Sequence, residues 1–93
     1  MIKEVKIILV SGLTISIKED DELSMLYDTG VVDDNNTEEL FDVKFEDLKS
    51  IAPSIMSKTG NIWLKHKISS GEYMEYYLTR EKITWCYYSE TKE

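Results

Sequence analysis

Apolar and polar residues alternate with a period of two at the start of the chain. The segment Val5–Leu9 places Val5, Ile7 and Leu9 on one side, and Leu13–Ile17 repeats the pattern with Leu13, Ile15 and Ile17. Such alternation is typical of a strand with one buried face. Ser11 and Gly12 lie between the two segments and suit a tight turn. The pattern therefore predicts an N-terminal β-hairpin.

A different spacing follows a run of four acidic residues, Glu19, Asp20, Asp21 and Glu22. Leu23, Leu26 and Tyr27 stand at positions i, i+3 and i+4, the spacing of one helix face. Acidic residues favour the first turn of a helix, and Gly30 suits its end. The segment is predicted to be a short helix. Asp33 to Asn36 would then form a polar loop.

Alternation returns at Phe41–Phe45, which predicts a strand. The next residues, Asp47–Ala52, are expected to form one helical turn that stops before Pro53, because proline disfavours helical geometry at the residue before it.

The C-terminal third reads as strands joined by short turns. Three are predicted, at Ile62–Ile68, Tyr73–Thr79 and Ile83–Tyr88. The expected fold is a single α+β domain over residues 1–93, mainly antiparallel β. Its order is an N-terminal hairpin, a short helix, a strand and a three-stranded C-terminal meander.

Aromatic residues are concentrated in that predicted meander. Alternation places Tyr73 and Tyr77 on one face of the second strand, with Met74, Tyr76 and Leu78 on the other. The same rule puts Ile83, Trp85 and Tyr87 together on the third strand. Three roles remain open: cross-strand packing, a protein interface, or base stacking with phosphates held by Lys65, Lys67, Arg80 and Lys82.

Composition narrows the class of protein. The chain has 93 residues and 10.9 kDa, with 42% hydrophobic and 31% charged residues, which indicates a folded domain. No apolar run approaches the roughly 20 residues of a membrane span, and no signal-peptide pattern is present. A lone cysteine, Cys86, suits a reducing compartment. A cytoplasmic location is expected, without membrane contact.

Charge is distributed unevenly. The net charge is −7, but residues 19–48 contain twelve acidic residues against Lys44 alone, giving −11, and the rest of the chain sums to +4. This field would repel phosphates and attract basic proteins. An acidic segment that only keeps the protein in solution remains the alternative.

Candidate catalytic groups are few. A calcium loop started at Asp33 or Asp34 lacks the Gly and Glu that an EF-hand needs at its sixth and twelfth positions. The acid-x-Lys sequence at Asp47 to Lys49 resembles nuclease metal sites but is short enough to arise by chance. His66 and Cys86 lack identifiable catalytic partners and are expected to be structural. The chain is predicted not to be an enzyme and to need no cofactor or metal.

The expected function is binding: a small acidic inhibitor of a basic, nucleic-acid-handling protein, without direct nucleic-acid contact. Abundant Lys, Ile, Asn and Tyr suggest a low-GC bacterium or its phage or mobile element, where anti-restriction, anti-CRISPR or toxin-neutralising proteins would fit. The alternative is a structural or regulatory domain that self-associates through its aromatic sheet, so monomer and homodimer both remain open. The expected partner-binding residues are Glu19, Asp20, Asp21, Glu22, Asp33, Asp34, Glu38, Glu39, Tyr73 and Tyr77.

Overall fold

A computed structural model describes residues 1–32, 38–45 and 47–92 of the chain, with side chains described for residues 1–28 and 47–92. The elements in chain order are β1 (Ile2–Leu9), β2 (Thr14–Lys18), β3 (Glu22–Val32), β4 (Glu38–Phe45), α1 (Leu48–Met56), β5 (Asn61–Lys67), β6 (Tyr73–Thr79) and β7 (Ile83–Thr91). They form a three-stranded sheet in the order β2-β1-β7 and a four-stranded sheet in the order β4-β3-β5-β6. Every pairing is antiparallel, which confirms the predicted α+β class.

The N-terminal hairpin forms as predicted. Its register opposes Val5 with Ile17 and Ile7 with Ile15, and all four side chains are buried. Gly12 has a φ of 91° in the connecting turn, a backbone conformation that residues other than glycine rarely adopt. The turn at Gly12 and the alternating apolar residues therefore both support the predicted hairpin.

The predicted helix after Glu22 is wrong, because this segment is the strand β3. Leu23 and Met25 are buried, and Tyr27 packs against the same core, so the effective spacing is two. β3 pairs with β4 on one side and with β5 on the other, which satisfies its backbone on both edges. The local i, i+3, i+4 spacing carries no information about strands that are distant in sequence.

The helix lies later in the chain, and it is longer than the single turn expected there. Asp47 caps it, since its Oδ1 accepts a hydrogen bond from the Lys49 N–H at 3.0 Å. The helix continues through Pro53 to Met56. A proline inside a helix costs about 3 kcal/mol, and burial of Ile51 and Ile55 on the inner face offsets this cost.

The three C-terminal strands form close to their predicted positions, but they do not share one sheet. β5 and β6 pair as a hairpin, whereas β7 pairs with β1. A 3₁₀ turn at Arg80–Lys82 makes the crossover. Arg80 holds this turn in place, because its guanidinium group donates hydrogen bonds to the carbonyls of Met56 and Ile83 at 3.3 and 3.0 Å. The Arg80 guanidinium group is therefore engaged by backbone carbonyls of the chain itself.

The predicted shared face of Ile83, Trp85 and Tyr87 also needs a correction. Ile8 of β1 pairs with Trp85, and Leu9 pairs with Ile83, so the register skips Thr84. An extra residue of this kind reverses the alternation on either side of it. Ile83 is consequently buried, while Trp85 is 56% exposed.

The inward faces of both sheets and α1 share one apolar core. Its buried members are Val5, Ile7, Leu9, Ile15, Ile17, Leu23, Met25, Ile51, Ala52, Ile55, Ile62, Leu64, Ile83 and Cys86. Within the described residues, no helix is long and apolar enough to cross a membrane.

Candidate interaction face

The face of the four-stranded sheet that points away from the core carries a mixed aromatic and charged surface, called here the outer face. It is formed by alternate residues of three neighbouring strands, because their intervening residues, such as Met25 and Leu64, are buried. Its members are Glu22, Ser24 and Leu26 from β3, Trp63, Lys65 and Lys67 from β5, and Tyr73, Glu75 and Tyr77 from β6.

An aromatic row crosses the outer face. Leu26 is opposite Trp63 in the register, and Trp63 is opposite Tyr77. The rings of Trp63 and Tyr77 are 4.8 Å apart between centroids and tilted by 32°, a favourable arrangement for an aromatic pair. Tyr77 is still 69% exposed and Tyr73 67% exposed. The predicted division of β6 into two faces is thus confirmed.

Two lysines lie over the exposed rings. The Lys65 Nζ is 4.9 Å from the Trp63 ring centroid, and the Lys67 Nζ is 5.5 Å from that of Tyr73. The register places Glu75 opposite Lys65 and Glu22 opposite Lys67. Charge on this part of the face is therefore locally balanced.

A groove of about 380 Å³ opens alongside the aromatic row, and Leu26, Asp28, Trp63, Tyr77 and Lys82 contribute to its lining. Asp28 is buried, and its Oδ2 accepts a hydrogen bond from the Asn61 side-chain amide at 3.0 Å. The backbone at Gly60 approaches closely, since a Cβ there would lie 2.5 Å from the Asp28 Oδ1. The groove combines apolar walls with a few fixed polar groups, which is the usual composition of a binding pocket.

The indole nitrogen of Trp63 adds a second polar feature to this region. Trp63 Nε1 is buried and has no hydrogen-bond partner among the described residues. An unsatisfied buried donor of this kind costs free energy of folding.

The predicted acidic residues occupy several different environments. Glu19 and Asp20 are exposed in the turn between β2 and β3, and Glu22 is exposed at the start of β3. Glu38 and Glu39 begin β4, although their side chains lie outside the described set. Asp33 and Asp34, the two remaining predicted sites, lie outside the described residues, as does the rest of the predicted polar loop.

Asp21 has a structural role instead of an exposed one. Its Oδ2 lies 2.8 Å from His66 Nε2, and the two side chains are 5% and 2% exposed. The same carboxylate accepts hydrogen bonds from the backbone N–H groups of Lys18 at 3.0 Å and Ser69 at 3.1 Å. Both oxygens are therefore engaged within the chain, and we remove Asp21 from the partner-binding set.

The protonation state of this pair follows from its contacts. Burial works to raise the pKa of the Asp21 carboxyl, but the hydrogen bonds from Lys18, His66 and Ser69 outweigh burial and hold that pKa below its usual value. An ionised carboxylate only accepts, so His66 Nε2 carries the proton and donates. His66 Nδ1 is buried without a partner among the described groups. The pair joins the β2–β3 turn to the β5–β6 turn.

Glu19 faces a second, smaller recess of about 270 Å³, which is also lined by Lys3, Asp47, Lys49 and Tyr88. The Tyr88 hydroxyl donates a hydrogen bond to Glu90 Oε1 at 2.7 Å, which raises the pKa of Tyr88 to about 12. The phenol therefore stays protonated at neutral pH and does not act as a base. The recess mixes both signs of charge and does not form a uniform acidic patch.

The remaining candidates for catalysis have structural positions. Cys86 is buried, and burial raises the pKa of its thiol to about 11, which disfavours the nucleophilic thiolate. Asp47 caps α1, and Lys49 lies 5.8 Å from the Tyr88 ring centroid. Across the part of the chain that the structure describes, no three His, Cys, Asp or Glu side chains converge as metal ligands.

Sequence reasoning missed part of the outer face. Alternation alone does not assign Trp63 to this face, and the predicted helix removes Leu26 from it. The alternation of Trp63, Lys65 and Lys67 along β5 was the available signal, and it becomes informative once β3 is known to be the neighbouring strand. No protein-family model, curated protein or solved structure matches this chain.

Proposed function

We propose that this protein is a small acidic binding module that inhibits a basic, nucleic-acid-handling protein by covering its nucleic-acid-binding surface. The observation that carries the proposal is the strand order β4-β3-β5-β6. β3 pairs with the acid-containing strand β4 on one side and with β5 on the other, and β5 pairs with β6, so the acidic and the aromatic strands lie side by side. Charge for attracting a basic partner and rings for anchoring it thus belong to one sheet.

Electrostatics would govern the encounter. The segment 19–48 has a net charge of −11, and β3 and β4 contain five of its twelve acidic residues, Glu22, Asp28, Glu38, Glu39 and Asp42. A concentrated negative field accelerates association with a positive surface, by about 10- to 1,000-fold, and the effect falls with ionic strength. The same field would repel free nucleic acid, so the partner is a protein.

The aromatic row would provide the contacts that persist once the complex has formed. Large exposed rings such as Tyr77 are enriched among residues that dominate binding energy. The groove beside it has an aromatic wall from Trp63 and a buried carboxylate from Asp28. The exposed ring of Tyr77 suits a cationic side chain of the partner, because an aromatic face attracts a cation.

Inhibition of this kind needs no catalytic step by the protein. A partner that uses one basic surface for DNA or RNA cannot bind both the acidic module and its nucleic acid. An anti-restriction or anti-CRISPR protein, or a neutraliser of a nuclease toxin, would act in this way. A phage or mobile element of a low-GC bacterium would be a suitable source.

The first experiment is capture of the partner. Tagged protein is incubated with lysate of a low-GC bacterial host, eluted with rising salt, and the eluted proteins are identified by mass spectrometry. One dominant basic protein that handles nucleic acid and is released by salt is the expected result. Direct retention of single-stranded oligonucleotide by the purified protein would instead overturn the proposal.

The second experiment tests the face with the partner so identified. Tyr77→Ala should weaken binding by about 30-fold, the loss expected for an anchor worth about 2 kcal/mol. Trp85→Ala is the matched control, since Trp85 is 56% exposed on the other sheet, and it should change affinity less than threefold. Neutralising Glu19, Asp20 and Glu22 together should lower the association rate and its salt dependence. Equal effects of the two aromatic substitutions would refute the assignment of the outer face.

A further inference from the structure

β6 is an edge strand with one open side. Its seven residues, Tyr73–Thr79, pair with β5 through an uninterrupted register that runs from Lys67–Tyr73 to Asn61–Thr79. Within the described part of the chain, no strand pairs with its other side. Every second residue of β6 therefore directs its backbone N–H and C=O groups away from the sheet, ready to pair with another strand.

The other edges of the two sheets carry protection that β6 lacks. β2 has only five residues and ends in Lys18. β4 contains three acidic residues and Lys44. β7 has an irregular register, and α1 packs against it. Charged residues, short length, irregularities and covering elements are the usual devices against edge pairing. β6 contains one charged residue, Glu75, and neither Lys nor Pro, and its register is regular.

We propose that β6 pairs antiparallel with β6 of a second copy of this chain, which gives a homodimer with a continuous eight-stranded sheet. A twofold axis perpendicular to the sheet keeps both outer faces on the same side. Opposed residues must then share a face, so the axis passes midway between one residue of β6 and the same residue of the other copy.

Strand length and charge together select the residue at the axis, because Tyr76 is the midpoint of Tyr73–Thr79 and lets all seven residues pair. Centring on Glu75 would oppose it to its own copy, and like charges directly opposite are destabilising. Centring on Tyr76 opposes Glu75 to Tyr77 and Met74 to Leu78. The half-buried side of β6, with Met74, Tyr76 and Leu78, then meets its own copy as one apolar strip. The register centred on Tyr76 is therefore the favoured one.

The net charge of −7 does not prevent this pairing, because β4, the strand with three acidic residues, lies at the far edge of the sheet. The hairpin that meets its copy is balanced, with Lys65 and Lys67 against Glu72 and Glu75. In the dimer the two β4 strands are seven strand spacings apart, about 34 Å at about 4.8 Å per strand. This is well beyond the Debye length of about 8 Å at physiological salt. Both acidic edges also stay open for partners.

The test is the mass of the purified 93-residue chain in solution, by light scattering and sedimentation equilibrium at up to millimolar concentration. A concentration-dependent mass of twice 10.9 kDa is expected. Tyr77→Glu would place a second acid opposite Glu75 of the other copy at two symmetric positions, and should raise the dimer dissociation constant by at least about tenfold.

A charge swap tests the register itself. Adding Glu75→Lys to Tyr77→Glu creates two Lys–Glu pairs across the dimer and should restore association. Tyr73→Glu is the matched control, because Tyr73 is equally exposed on the same strand but faces Thr79 of the other copy; it should shift the constant less than threefold. Circular dichroism establishes that each variant is folded. A monomer at every concentration, equal effects at Tyr73 and Tyr77, or no recovery with the charge swap would overturn the proposal.

Discussion

Removing the Asp21 carboxylate should destabilise this protein far more than removing any exposed acid of the same segment. Asp21 accepts hydrogen bonds from Lys18 and Ser69 N–H groups and from His66 Nε2 at 3.0, 3.1 and 2.8 Å. Asp21→Ala leaves these donors without their acceptor and leaves His66, which is 2% exposed, unpaired. Breaking one side of a buried pair costs about 3–5 kcal/mol.

The expected value lies at the lower end of that range. The Lys18 and Ser69 groups are at exposed positions, so water can replace part of what they lose. We therefore expect a loss of about 3 kcal/mol in the free energy of unfolding. In a domain of this size, 1 kcal/mol shifts the melting temperature by about 4–8 °C, so the shift should be about 12–24 °C.

Asp20→Ala is the matched control, because it removes the same charge from the adjacent, exposed position. It should change stability by no more than about 0.5 kcal/mol. Thermal and urea unfolding followed by circular dichroism measure both variants. Melting temperatures for the two variants within about 4 °C of each other would refute the structural role of the pair.

The same pair predicts a dependence on pH. The pKa of Asp21 is lower in the folded state than its usual value, so its stabilising contribution is complete above the unfolded pKa of about 3.9. The contribution is lost as the pH falls from there through the folded pKa. The gap in melting temperature between wild type and Asp21→Ala should therefore narrow below about pH 4. A gap that stays constant into the acid range would contradict an ionised carboxylate.

Two further predictions concern the groove and the core. Gly60→Ala should lower the free energy of unfolding by about 1–3 kcal/mol in urea titrations, because the new Cβ would lie 2.5 Å from the Asp28 Oδ1. Ser70→Ala, in an exposed turn, is the control, and equal stabilities of the two variants would contradict the close approach. Cys86 should react slowly with a thiol reagent at mildly alkaline pH in the folded protein and rapidly in denaturant, because its pKa is raised to about 11 by burial. Equally fast labelling in both states would show that the thiol is accessible.

Local alternation was sufficient for much of the fold. The pairs Val5–Ile17 and Ile7–Ile15 face the core because a period of two, interrupted by Ser11 and Gly12, allows little else. The same argument places Tyr77 on the outer face of β6, where it is exposed. Where both strands of a hairpin are close in sequence, the pattern carries their pairing as well as their existence.

Local pattern failed where the partner is distant. Leu23, Leu26 and Tyr27 fit one helix face, yet this segment pairs with β4 and β5 and forms a central strand. The pattern likewise detected β7, but only the tertiary structure assigned it to β1, which is nearly the whole chain away. Sequence spacing reports which side of an element is apolar, and it does not report which other element covers that side.

The candidate site divides in the same way. The sequence by itself determined that this chain has a concentrated acidic segment and a separate aromatic one, since both follow from composition along the chain. Only the tertiary structure made β3 the neighbour of β5, placed Leu26 and Asp28 beside Trp63, and buried Asp21 against His66. Charge and aromatic content are properties of single residues, whereas adjacency and burial arise only when strands distant in sequence pair around a common core.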